Sequence, residues 1–274
     1  LDNSLSDLIK YTSEIMLGSL EKVTFKNGDI PLLNDSAFNV YPTTKELLDY
    51  SEKLGIQATS IKLDESGYRK YQNRHYECIV NIGGIKAHYM PGHAHSDIFN
   101  FILYVNDKPF IVDTGISTYD FGERRMIERS TVSHNTVQVR NFEQAEIWSS
   151  FRVAKRANAK IIHDSPDKIK AELDYVTTKA KHTREFVFKE EEIKISDQVN
   201  PKYKAKAYLH FHPDVEVDII DNKIITNLCE ISVFNSNNCY IDEYMYAPEF
   251  NTLIKSKVVI VEFNDKLETQ IKRI

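Results

Sequence analysis

Pro91-Gly92-His93-Ala94-His95-Ser96-Asp97-Ile98-Phe99-Asn100-Phe101 sets two histidines and an aspartate at alternate positions, then passes directly into an apolar run that reaches Val105. In an extended backbone the imidazoles of His93 and His95 face one side, roughly 7 Å apart along the chain, and Asp97 continues that face. A polar, chemistry-bearing stretch that opens a strand places the candidate site at a sheet end. Two further strand-adjacent segments supply matching groups: Asp113 in Val112-Asp113-Thr114-Gly115 and His134 in Ser133-His134-Asn135-Thr136. Two imidazoles and a carboxylate suit a three-ligand zinc site with a fourth position open. The spacing 95, 113, 134 is no local zinc motif, so the fold must assemble it. Taken singly, His93 or His95 reads as a structural polar residue at a sheet surface sooner than as a catalytic one; taken together the balance changes.

Outward from this stretch the period is two. Strand-like runs include His75–Ile82, Ile98–Val105, Phe110–Asp113, Thr136–Arg140, Trp148–Ala157, Thr183–Phe188, Ile193–Val199, Ala205–Phe211 and Lys257–Phe263, separated by turn formers such as Asn106-Asp107-Lys108-Pro109. No regular alternation of strand and helix appears, which argues against a doubly wound fold. The expected class is mainly β: a large antiparallel β-sandwich over 57–274, preceded by a short helical segment over 1–56. In that segment apolar residues recur at helical spacing over 5–22. Thr43 and Glu46 make a capping box for a second helix that ends at Gly55. A tight hairpin at 106–109 sets Asp113 opposite Tyr104 or Leu103 and not His95, so the chain has to bend after Asp97 for the ligands to meet.

The 274 residues, 42% hydrophobic and 27% charged, suffice for a sizeable core. Fifteen Tyr and fourteen Phe against one Trp suit a β-rich chain. A net charge of −5 argues against generic nucleic-acid binding. No apolar run approaches the roughly 20 residues of a membrane span. Cys78, Cys229 and Cys239 cannot make a disulfide framework. The start Leu1-Asp2-Asn3-Ser4 lacks a signal-peptide pattern and an initiator Met, which suggests a processed chain or a fragment.

Ile116–Ser133 reads as a long irregular connection carrying Arg124, Arg125 and Arg129, which suit substrate carboxylate or sulfate groups; pairing with Glu123 and Glu128 is an equal alternative. His210 and His212 form a second alternating pair, better read as strand-end residues. Tyr240, Tyr244 and Tyr246 read as sheet packing before a glycan groove.

The ordered series Pro91–Asp97, Ile111–Gly115 and Arg129-Ser130-Thr131-Val132-Ser133-His134-Asn135-Thr136-Val137 closely resembles the heparinase II/III-like family of polysaccharide lyases. That resemblance implies an N-terminal helical toroid followed by an antiparallel β-sandwich, zinc held by His95, Asp113 and His134, and a catalytic role for His93 facing the cleft. It implies β-elimination on a uronic acid in an acidic polysaccharide, and a periplasmic or secreted bacterial protein. An imidazole suits such proton transfer because it titrates near neutrality. The family's remaining catalytic groups come from the toroid, of which 1–56 holds only the last helices. The expectation is a C-terminal domain inactive alone. The alternatives are a carbohydrate-binding sandwich with a structural zinc, and a zinc hydrolase, for which no nearby Glu base is evident.

Overall fold

The computed structural model describes residues 3–85, 89–221 and 223–274. Helix α1 (Asn3–Val23) and helix α2 (Thr44–Lys53) lie where the apolar periodicity and the capping box predict them. In the capping box Glu46 N–H donates to Thr43 Oγ1 at 3.2 Å and Thr43 N–H donates to Glu46 Oε2 at 2.8 Å. Leu5, Leu8, Ile9, Tyr11 and Met16 of α1 stay exposed. The segment between the helices lies on the sheet that follows: Phe25 stacks on Tyr104 at 3.9 Å, and Leu33 joins them with Ile79 and Ile102.

From Tyr68 onward strands dominate. Four of them, Tyr68–Gln72, Tyr76–Asn81, Phe101–Val105 and Lys108–Ile111, pair in chain order. Another four run Asn238–Tyr246, Ile254–Phe263, Ala205–His210, Val137–Val139 across the sheet. An antiparallel bridge between Ile111 and Phe211 joins the two into one layer. The opposing sheet has eight strands, in the order Val217–Ile220, Lys223–Thr226, Cys229–Phe234, Lys266–Arg273, Glu192–Asn200, Lys181–Phe188, Lys168–Asp174, Ala159–Ser165. Every paired strand is antiparallel to its neighbour, so the fold is mainly β, with one continuous core between the layers. Contacts such as Phe101–Phe186, 5.6 Å between rings, bridge the layers.

The strand Lys181–Phe188 shows how period two works here. Its buried face carries His182, Arg184, Phe186 and Phe188. Two of those four are basic, and a buried charge persists only if paired. Asp197, opposite Arg184 on the next strand, accepts from Arg184 Nε at 2.6 Å and from His182 Nε2 at 2.6 Å. Arg184 Nη1 reaches further and donates to the carbonyls of Phe99 (3.0 Å) and Asn135 (2.8 Å). The core ion cluster thus tethers the two loops that carry His95 and His134.

The connection expected to be irregular over Ile116–Ser133 holds a short helix, α3 (Glu123–Glu128), and a 3-10 turn at Thr131–Ser133. Good helix formers fill Glu123-Arg124-Arg125-Met126-Ile127-Glu128. Buried Glu128 fixes the segment by accepting from Ser117 N–H at 2.8 Å and from Arg124 Nε at 2.8 Å. Trp148–Ala157, expected as one strand, is a small ribbon of Ile147–Ser149 against Arg152–Val153.

Candidate active site and metal centre

The bend needed to bring the ligands together is present. Pro91–His93 forms a 3-10 turn, Phe99 takes a left-handed φ of 69°, and the strand begins only at Phe101. The register of the following hairpin differs from the expected one: Leu103 lies opposite Ile111, not Asp113, because the turn is only Asn106-Asp107 and a bulge beside Tyr104 shifts the pairing. His95 reaches Asp113's neighbourhood from this loop and not from a strand. His93 lies in the turn, not in extended backbone, so the two imidazoles converge through a shared partner.

That partner is Asp35, from the segment between the helices. Its Oδ2 accepts from His93 Nδ1 at 2.7 Å and its Oδ1 from His95 Nε2 at 2.8 Å. Arg125 grips the same carboxylate with Nη1 at 2.5 Å and Nη2 at 2.8 Å. Burial pushes this carboxyl up, but the hydrogen bonds and charges of His95 and Arg125 outweigh it and hold it well below the usual carboxylate range. Arg125 is 0% exposed. Asp35 therefore neutralises a buried guanidinium while orienting two histidines. Nothing in Asn34-Asp35-Ser36 marks it: a lone acid in a polar loop has no periodicity, and its partners lie 58 to 90 positions away.

His134 is held from the other side. Its Nδ1 donates to Asp113 Oδ2 at 2.8 Å, and its ring lies 5.4 Å from that of His95. Asp113 also accepts from Asn100 Nδ2 at 2.5 Å and from Gly115 N–H at 3.0 Å. Asn135 links the loops beneath by donating to the carbonyls of Phe101 and Val112, while its Oδ1 accepts from His210 N–H. Asn100 and Asn135 stand inside the quoted stretches, but nothing in their type or spacing marks them as cross-links between loops. His210 is buried against Asn135 and Tyr244, as a strand-end residue should be.

The sequence-predicted trio is thus brought into one buried cluster. Burial pushes His95 down to about 4, so its ring is neutral, with the proton on the nitrogen facing Asp35. Burial also opposes charge on His134, but the Asp113 carboxylate outweighs it and raises the pKa. Asp97 is pushed up to about 6 by burial. His95 Nδ1, His134 Nε2 and Asp97 Oδ2 are buried without a hydrogen-bond partner. A histidine whose one nitrogen is tied to a carboxylate and whose other is bare fits metal ligation. Asp113, in this geometry, serves His134 as such a carboxylate. Among the described residues, no group of three or more His, Cys, Asp or Glu side chains is disposed to hold a metal ion. The donor chemistry fits a cation through its two imidazoles, while the third ligand is engaged elsewhere.

His93 differs from its neighbours, with its side chain 56% exposed. It opens onto a cavity of about 480 Å³ that Asp35, Tyr41, Tyr68 and Tyr119 also line. The arginines divide by burial. Arg124, partly exposed, pairs with Glu128 and donates to the Met245 carbonyl. Arg129, like Arg125, is fully buried, and its guanidinium donates to the carbonyls of Ala94, Ser149 and Ser150. These two tie the His93–His95 loop, the ribbon and Asp35 together.

Solved structures resemble this fold, among them three named as heparinase or heparan sulfate lyase. One described as heparinase III superposes with a TM-score of 0.75 at 16% identity, covering 100% of this chain and 49% of that one. The heparinase III product of the BT4657 gene gives 0.71 at 16% identity, covering 92% and 44%. The heparan sulfate lyase HepC of Pedobacter heparinus gives 0.69 at 14% identity, covering 94% and 46%. The chain thus spans less than half the length of each. No curated protein matches the sequence. The family model for the heparinase II/III-like C-terminal domain matches residues 56–273, and the chain belongs to that family.

Proposed function

We propose that this chain is the cleft-forming C-terminal part of a polysaccharide lyase that cleaves uronic-acid-containing glycans by β-elimination. The observation that carries the reading is His93: exposed at a cavity, yet fixed through Nδ1 by a carboxylate that is itself locked to Arg125. In such an elimination the uronate carboxylate is neutralised, the C5 proton leaves to a base, and the leaving glycosidic oxygen takes a proton. With Nδ1 held by Asp35, His93 offers Nε2 to the substrate, either to neutralise the carboxylate or to carry the proton. Arg125 and Arg129 assist by holding that loop rigid, and Arg124 is the arginine open to a substrate anion.

His95 and His134 would hold zinc, with Asp113 orienting the His134 imidazole, and the metal when bound would supply rigidity to the loops around His93. The bare nitrogens of His95 and His134 support this assignment. The missing partner is a helical toroid of the same protein. Two features favour it: the chain spans under half of its structural neighbours, and α1 leaves an apolar face exposed. A protein meeting such glycans works in the periplasm or outside the cell; no helix among the described residues is long and apolar enough to cross a membrane.

The test is turnover of uronic-acid polysaccharides, followed by absorbance of the unsaturated product. Full-length protein is expected to give that product and His93→Ala to lose it, while the 274-residue chain alone binds without turnover. Product lacking the C4–C5 double bond would refute a lyase and favour a hydrolase. Robust turnover by the chain alone would refute the need for a toroid.

A further inference from the structure

A second feature lies beside His93, at the turn of the Ile147–Ser149 and Arg152–Val153 ribbon. Phe151 stands there 42% exposed, although it touches three rigid groups. Its ring meets the His93 ring edge-on at 5.5 Å and that of Tyr119 at 5.2 Å. The guanidinium of Arg125 lies over it, 5.4 Å from the centroid. Gly92 admits this packing: a Cβ there would stand 3.3 Å from the Phe151 Cβ and 3.2 Å from its carbonyl oxygen. The turn itself is pinned, because Arg125 and Arg129 donate to the Ser150 carbonyl. A large apolar side chain so constrained and still open to solvent is not serving the core. It is a preorganised flat surface, which loses no conformational freedom on binding.

We propose that Phe151 is a stacking platform for a pyranose ring, the sugar joined to the one that His93 engages. The inference rests on the glycan reading above and assigns that glycan a specific contact. One face of the ring lies over Arg125, which leaves the other for the C–H face of a sugar. Aromatic rings suit this task because their π-face attracts weakly polarised C–H groups while shedding water. The contact fixes the position of the chain along the cleft, whatever its sulfation.

The experiment titrates the 274-residue chain with an unsulfated uronic-acid–hexosamine tetrasaccharide by calorimetry. Emission of Trp148, the single tryptophan and a residue of the same ribbon, gives a second readout. Phe151→Leu and Phe151→Met keep an apolar side chain but remove the ring; Phe151→Tyr keeps the ring. The leucine and methionine variants are expected to bind roughly fivefold more weakly, and the tyrosine variant within twofold of the parent. Unchanged denaturation midpoints are expected, since the side chain is exposed. Equal affinity of all four chains, or equal weakening by tyrosine and leucine, overturns the platform and leaves the glycan reading intact. Absence of binding by the parent chain overturns both.

Discussion

Removing the Asp35 carboxylate tests the organisation of the site most directly. In Asp35→Ala the fully buried Arg125 loses two hydrogen bonds, at 2.5 and 2.8 Å, and keeps its bond to the Ser150 carbonyl at 3.1 Å. His93 and His95 lose their acceptor at the same time. Stripping one partner from a buried ion pair costs about 3–5 kcal/mol, mostly because the remaining charge is left in a medium that cannot solvate it. Against a typical stability of about 5–15 kcal/mol, that is a large fraction. The assay is urea denaturation at pH 7 of the parent, Asp35→Ala, Arg125→Met and the double variant. If charge is the cause, the double variant recovers at least about 2 kcal/mol relative to the sum of the singles. Asp35→Asn, which keeps the shape, falls close to Asp35→Ala. A loss under about 1 kcal/mol, or strict additivity, would show that Asp35 does not hold this site together. The effect is expected at neutral pH: a carboxyl with a depressed folded pKa contributes above its unfolded value and loses that contribution as pH falls through the folded one.

Three further outcomes follow from the same geometry. Gly115 has φ +73°, and a Cβ there would lie 2.0 Å from the Ala247 carbonyl oxygen, so Gly115→Ala displaces the Asp113 loop and leaves soluble, folded chain scarce on expression. Asp197 titrates at about 2 in the folded chain, against about 3.9 unfolded. Burial opposes its charge, but Arg184 and His182 outweigh it, so it contributes about 2 kcal/mol that is present above pH ~4 and fades as pH falls through 2. The stability gap between the parent and Asp197→Asn should therefore narrow by about that much in urea titrations between pH 5 and 2; a constant gap refutes the linkage. Zinc added to metal-stripped chain should raise the melting temperature, by about 2.7 kcal/mol of stabilisation at a hundredfold excess over Kd. His95→Ala and His134→Ala abolish the shift; an equal shift in those variants removes the metal assignment.

What the sequence determined by itself was the set of local patterns. Alternation over short segments gave strands, because one face of each strand is buried and the side-chain period is two. Thr43 and Glu46 announced α2, because a capping box is satisfied within four residues. The three-part series around His95, Asp113 and His134 announced the family. The meeting of those residues was a tertiary decision. It needed the turn at Pro91–His93, the left-handed Phe99 and the cross-links through Asn100 and Asn135. The roles of Arg125 and Arg129 were likewise undecided in the sequence: a guanidinium reads alike whether it awaits a substrate anion or crosses the core to Asp35 and the ribbon carbonyls. Only burial separates the two cases. Burial depends on which distant segment folds over the residue, and no spacing along the chain encodes that.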